Sequence, residues 1–234
     1  MQMKPKQSSS FRSPKVKETV KTFKGLRQAS HFGPTLIVTT IGWLFANYYW
    51  WEGPAYVIAF GIFTGQLVVG WSNDLYDYAD DLRHQRTKKP LVSGLITPEY
   101  LRKWIVVMTP LAFFFNLLGP LGFSGGLVYM LGIGCGVAYN FYFKFIWFSP
   151  LPYAIAFAAL PSSIAISKEI SPPMWMWLGG ALFGMAAHFI NVIKDLDEDR
   201  QSEIKGLPQR VGKKRSIFAA VTLVALGCLV LIAS

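Results

Sequence analysis

Apolar and polar positions alternate along this chain in long blocks rather than in short periods. Seven apolar runs lie near residues 32–49, 55–72, 103–119, 122–143, 151–167, 173–193 and 215–233. Each is long enough to cross about 30 Å of hydrocarbon as a helix, for which ~17–25 residues suffice. The pattern predicts an all-α, polytopic membrane bundle of about seven spans. The third and fourth runs are divided by Gly119–Pro120 and Gly125–Gly126, a turn signal inside apolar sequence. Tyr48, Tyr49, Trp50 and Trp51 end the first run, and Trp175 and Trp177 begin the sixth. Both groups read as aromatic anchors at one membrane interface.

Before the first run, residues 1–27 carry eight Lys/Arg against one acid, Glu18. The first ten or so residues are expected to be disordered. From Val16 onward, Val16, Val20 and Phe23 fall at helical spacing, with Lys17, Lys21 and Lys24 on another face. That is the pattern of a short interfacial helix on anionic lipid. The chain thus divides into a basic tail or interfacial helix (1–27) and a transmembrane domain (28–234).

Composition agrees: 52% of residues are apolar, and only 15% are charged. The net charge of +10 might suggest nucleic acid, but its distribution does not. Eight basic residues lie in the tail, six between the second and third runs, one (Lys144) between the fourth and fifth, and seven between the sixth and seventh. If the spans alternate, 22 of the 23 share one side and only Lys168 lies opposite. The positive-inside rule makes that side cytoplasmic, with the chain expected in a cell's inner membrane. No secretory signal is visible, because the tail lacks an apolar core segment. Cys135 and Cys228 sit singly in apolar runs and read as small packing residues.

The acids follow the same geometry. Asp74, Asp77, Asp80, Asp81 and Glu99 lie in the second-to-third connection, and Asp195, Asp197, Glu198, Asp199 and Glu203 in the sixth-to-seventh. At an offset of 118 residues, Asn73, Asp77 and Asp81 align with Asn191, Asp195 and Asp199. Each triplet has i, i+4, i+8 spacing, which puts its polar groups on one helical face. Pro90 pairs with Pro208, Gly94 with Gly212, Pro34 with Pro152 and Gly61 with Gly179. The repeat unit is four spans, so it preserves orientation: a parallel repeat about the membrane normal. The fourth span then has no partner before Ser234, and the expectation is a bundle incomplete at its C-terminus.

Two carboxylate clusters facing each other repel unless a cation joins them. Mg²⁺ is typically held by one or two carboxylates plus substrate phosphates. Arg83, Arg86, Lys88 and Lys89 stand beside the first cluster, Lys194 and Arg200 beside the second, and Lys144 enters from the fourth span. Acids that hold metal, ringed by Arg and Lys, make a diphosphate site. Phe113, Phe114, Phe115, Phe141, Tyr142 and Phe143 are near enough in sequence to line an apolar cavity above it. A ligand with a diphosphate head and a hydrocarbon tail fits this layout: a prenyl diphosphate, whose allylic carbon gains cationic character as the diphosphate leaves. Asp80 and Asp197 fall off the shared faces and read as solvated. Arg27 reads as a lipid-headgroup ligand. His188 reads as a hydrogen-bonded packing residue.

NDLYDYADD at 73–81 resembles the first signature of the UbiA superfamily of intramembrane prenyltransferases, and DLDED at 195–199 resembles its second. AYNFYFK at 138–144, KPLVSG at 89–94, SPLPYAIAFAALP at 149–161 and GLPQRVG at 206–212 extend the similarity, with Tyr139 five residues before Lys144 rather than four. The resemblance implies a nine-helix bundle with Mg²⁺ between the Asp motifs. It gives Asn73, Asp77, Asp195 and Asp199 the catalytic, metal–diphosphate role. Asp74, Asp81 and Asn191 join them as metal ligands, and Lys144, Arg86, Lys88 and Lys194 bind diphosphate. The implied reaction is Mg²⁺-dependent transfer of a prenyl group to a small acceptor, foremost an aromatic quinone precursor, with a phosphoribosyl or glyceryl phosphate as the alternative. A cation-coupled transporter is the rival class, and it predicts acids at the bilayer midplane. A CDP-alcohol phosphotransferase would need an Asp-Gly dipeptide, which this chain lacks.

Overall fold

The structure, a computed structural model, describes residues 14–234, leaving the expected disorder of the first ten residues outside the described residues. The side chains of Val16, Lys17, Glu198 and Arg200 likewise lie outside them. The described chain is all-helical. It runs α1 (Pro14–Ala29), α2 (Phe32–Tyr49), α3 (Glu52–Arg83), α4 (Pro98–Leu117), α5 (Gly122–Phe141), α6 (Leu151–Ile166), α7 (Gly180–Ile193), α8 (Leu196–Gln201), α9 (Leu207–Val211) and α10 (Lys213–Ala233). A 3₁₀ turn (Phe143–Phe145) follows α5 and a π-helical turn (Trp175–Gly179) leads into α7.

Each of the seven apolar runs is a helix. Four stretches are long and apolar enough to cross a membrane: α3, α5, the Trp175–Ile193 stretch and α10. The α6 helix is apolar but shorter. Large apolar side chains such as Ile37, Leu44, Val106, Phe218 and Ile232 stay exposed on the bundle surface. So much exposed apolar surface suits hydrocarbon rather than water as its solvent. The protein is an integral membrane protein.

Packing repeats along the chain. The α3 helix packs on α2 and α4, while α7 packs on α6 and α10. The α5 helix joins the halves by packing on both α3 and α6. The backbone echoes the repeat at Gly94 (φ 68°) and Gly212 (φ 82°), which take the left-handed side of conformational space just before α4 and α10. Thr97 accepts a hydrogen bond from the Tyr100 amide at 3.2 Å, and Pro98 follows it, so α4 starts on a side-chain cap.

The expected aromatic interface forms at the ends of α2 and α6. Trp50 Nε1 donates to Ser167 Oγ at 3.1 Å, Lys168 Nζ sits 4.1 Å from the Trp50 ring centroid, and Phe45 meets Trp175 at 5.7 Å. At the other end, α1 folds onto α3 through the Trp71 indole, which donates to the Leu26 carbonyl at 3.0 Å. The α1–α2 elbow reaches α3 at Gly70, where a Cβ would lie 2.7 Å from the Ser30 carbonyl oxygen. Of the two cysteines, Cys135 is half-buried and Cys228 is exposed on α10.

Candidate functional site

The α3 helix has 32 residues, about 48 Å at 1.5 Å per residue. That exceeds the ~30 Å of a hydrocarbon core, so its last turns project past the apolar zone. Asn73, Asp74, Asp77, Asp80 and Asp81 all lie on this projecting end, and the helical reading of the first motif holds. The second motif differs. The α7 helix stops at Ile193, residues 194–195 form a turn, and α8 begins at Leu196. Asn191, Asp195 and Asp199 therefore do not share one unbroken helical face as expected.

The two clusters meet around Lys144. This side chain is 5% exposed and donates to Asp77 Oδ1. It also acts electrostatically on Asp199, as Arg86 does. The Tyr139 hydroxyl lies in the field of Asp199, Asp77 and Asp195 together. Aromatic rings flank the Lys144 ammonium, with Tyr76 at 5.1 Å and Phe145 at 5.4 Å. Burial pushes the Asp199 carboxyl above its ordinary range; a hydrogen bond from Gln209 Nε2 to Oδ2 at 2.7 Å opposes this, and Asp195 reinforces it.

The remaining acids of the first motif turn to the loop that follows. Asp74 and Asp81 are each 2% exposed. Lys89 Nζ lies 2.8 Å from Asp74 Oδ1 and 3.8 Å from Asp81 Oδ2. Arg86 Nη1 donates to Asp81 Oδ1 at 2.7 Å, and His31 Nε2 lies 3.3 Å from Asp74 Oδ1. Burial alone would pull the Lys89 ammonium down, but Asp74, Asp81 and Asp77 hold it above its usual value. In this structure the two carboxylates, expected as metal ligands, pair with cations of the following loop; the i, i+4 pattern shows who shares a face, not which cation a later loop brings back.

Asp80, expected to be solvated, closes a second link. Ser202 Oγ donates to Asp80 Oδ2 at 2.6 Å and accepts from Arg86 Nη2 at 2.6 Å. Ser202 belongs to the second connection, so this contact ties the two loops together. Nothing in the sequence singled out Ser202, His31 or Gln209: each is a common polar residue whose partner lies elsewhere in the fold.

Other expectations sort as follows. Lys88 and Lys194 are exposed and make no ion pair among the described residues. Asn73 is half-buried, and Asn191 hydrogen-bonds with the Tyr153 side chain. His188 is fully buried, with Nε2 3.0 Å from Ser149 Oγ, as its packing role requires. Phe141 packs beside Tyr76 at 6.1 Å, next to the site. Phe113, Phe114 and Phe115 do not line it. Phe115 meets Phe60 at 4.8 Å, and Phe60 precedes Asp77 on α3 by about 25 Å of helix. Neighbours in sequence were mistaken for neighbours in space, because α4 runs away from the acidic end. Among the described residues, no three acids, histidines or cysteines form a ready-made metal cage.

Residues 35–234 match the UbiA prenyltransferase family. No curated protein sequence matches the chain. Among solved structures, a UbiA homologue from Aeropyrum pernix K1 superposes with a TM-score of 0.68 at 19% identity, covering 92% of this chain and 78% of that one. A UbiA homologue from Archaeoglobus fulgidus bound to DMAPP and Mg²⁺ gives 0.64 at 14% identity, covering 91% and 76%. A digeranylgeranylglyceryl phosphate synthase gives 0.65 at 18% identity, covering 92% and 76%. These likenesses establish the fold. With the match over residues 35–234, the chain belongs to the UbiA prenyltransferase family.

Proposed function

We propose that this UbiA-family protein transfers a prenyl group from a prenyl diphosphate to a small acceptor at the membrane face that carries its two Asp motifs. The observation that carries the reading is Lys144: one buried cation paired with Asp77 and acting on Asp199, from opposite halves of the repeat. The acids gather at one end of the bundle among loop cations. That placement favours diphosphate chemistry over a transporter with carboxylates at mid-membrane.

The donor set suits Mg²⁺: Asp77, Asp195 and Asp199 offer hard carboxylate oxygens, and Asn73 and Asn191 offer amide oxygens. When bound with substrate phosphates, the ion supplies charge neutralisation at the leaving group. The A. fulgidus homologue bound to DMAPP and Mg²⁺ supports that assignment. Lys144 and Arg86 are the cations placed to receive diphosphate, and exposed Lys88 and Lys194 draw the anion in. Tyr76 and Phe141 present aromatic faces beside the Asp77–Lys144 pair, where allylic positive charge would develop. Asp74 and Asp81 serve the site by holding its loop.

An aromatic quinone precursor is the leading acceptor, on the resemblance of the motifs. A glyceryl phosphate acceptor is the second reading, supported by the fold shared with the digeranylgeranylglyceryl phosphate synthase. The basic loops support a cytoplasmic placement of the site by the positive-inside rule. The test assays membranes holding the full chain with several prenyl diphosphates against a panel of aromatic acids, glyceryl phosphates and phosphoribosyl acceptors, with and without EDTA, read by mass spectrometry. Asp77→Ala and Asp195→Ala should each lower transfer by at least about 100-fold while leaving membrane insertion intact. Unchanged turnover in both variants would overturn the assignment.

A further inference from the structure

A groove of about 710 Å³ opens between α1, α3 and α4, apart from the Asp clusters. Its floor is apolar: Leu67 and Trp71 from α3, with Trp104 and Met108 from α4. Phe23 and Leu26 of α1 form the facing wall. Trp71 and Asp77 are six residues apart, so they leave α3 on faces about 120° apart. Trp71, only 3% exposed, donates its indole N–H to the Leu26 carbonyl, and none of the residues around Lys144 lines the groove.

The rim has a charge. Arg27 lines the groove, with its guanidinium 5.9 Å from the Phe32 ring centroid. Lys21, Lys24, Arg102 and Lys103 are exposed on the two helices that wall it, against Glu18 and Glu99. An open apolar groove that fits hydrocarbon, lined by Arg27 and Glu18 and flanked by four further exposed cations, matches an amphiphile with an anionic head. The Tyr100–Trp104 pair, at 6.3 Å, supplies the amphipathic aromatics found at headgroup depth.

We propose that this groove holds one anionic phospholipid, its acyl chain on Leu67, Trp71 and Met108 and its phosphate on Arg27. The bound lipid fastens α1 to the bundle. Guanidinium suits this task because it pairs with a phosphate through two parallel hydrogen bonds and keeps its charge at any working pH.

The test uses the full chain, delipidated in detergent and then offered phosphatidylglycerol or phosphatidylcholine. Bound lipid is counted by native mass spectrometry, and hydrogen exchange is followed over residues 18–29. Phosphatidylglycerol should be retained at least about tenfold better than phosphatidylcholine. It should also slow exchange in α1. Arg27→Glu should remove that preference, and Thr22→Trp, which fills the groove without changing charge, should reduce retention of both lipids. Both positions lie on the surface of α1, and a wild-type melting temperature without lipid verifies that the variants fold. Equal retention of the two lipids, retention insensitive to both variants, or displacement of the lipid by geranyl diphosphate would each overturn the proposal.

Discussion

The two halves of the repeat share a spacing and differ in construction. In the first, Asn73 to Asp81 is unbroken helix, two of its carboxylates are buried, Lys89 and Arg86 neutralise them, and His31 lies against Asp74. In the second, the helix breaks at 194–195, Asp195 is exposed, and Asp199 leans on the side chain of Gln209. One half is a fixed base, already charge-compensated. The other is jointed: Asp199 accepts from a neutral amide, and Ser202 reaches across to Asp80 and Arg86 of the first half. Duplicated spacing preserved which groups face the site; it did not preserve how firmly each is held.

The comparison breaks most readily at Lys89. Lys89→Met takes the ammonium from buried Asp74 and leaves Asp81 to Arg86 alone, and removing one partner of a buried ion pair costs about 3–5 kcal/mol. Lys194→Met, in the jointed half, should stay within about 0.5 kcal/mol. Thermal melts in detergent measure both, and equal penalties would erase the distinction. The Lys89 contribution has a definite pH sense. Its pKa is raised in the folded protein, so its stabilisation is complete below the ordinary lysine value of about 10.4 and is lost only as pH rises above it. The Lys89→Met penalty should therefore be the same at pH 6 and pH 8.

Gln209→Ala comes next. Loss of the amide that orients Asp199 should weaken Mg²⁺-dependent turnover by about 10–100-fold, as for other groups behind a metal ligand. A metal titration of activity reads this, and an unchanged midpoint would show that Asp199 needs no support. Gly94→Ala and Gly212→Ala test what the halves do share. Each forces a side chain into positive φ at a cost of about 1–3 kcal/mol, and Gly212, with ψ 171° in a region essentially restricted to glycine, should show at least as large a melting shift as Gly94. Among the contacts between the halves, a modest effect is expected at Ser202. Ser202→Ala should cost about 1 kcal/mol and speed hydrogen exchange in the second loop, leaving the first unchanged.

Much of this was legible in sequence, for physical reasons. A span must be long and apolar, so seven helices could be read as blocks. Helical spacing put Asp77 toward the site, and the charge of Lys144 between two apolar runs marked it as unusual. Partner choice was not legible. Whether Asp74 faces a metal or Lys89 depends on how a loop of 14 residues folds back, and no periodicity records that. The break after Ile193 was equally hidden, since Leu-Asp-Glu-Asp-Arg is unremarkable helix-forming sequence. The cluster Phe113–Phe115 failed for the opposite reason: its aromatic content was conspicuous, but helix direction decides location.

The contacts at Trp50 have a mechanical meaning. With α2 and α6 joined there through Ser167 and Lys168, relative movement of these helices becomes a rotation about that end. Displacement then grows with distance from the fulcrum. Over the ~27 Å of an 18-residue helix, a tilt of about 4° moves the opposite end by about 2 Å. A pivot at Trp50 would give the largest travel to the opposite ends of α2 and α6, the end of the bundle at which α3 and α7 bring the Asp motifs.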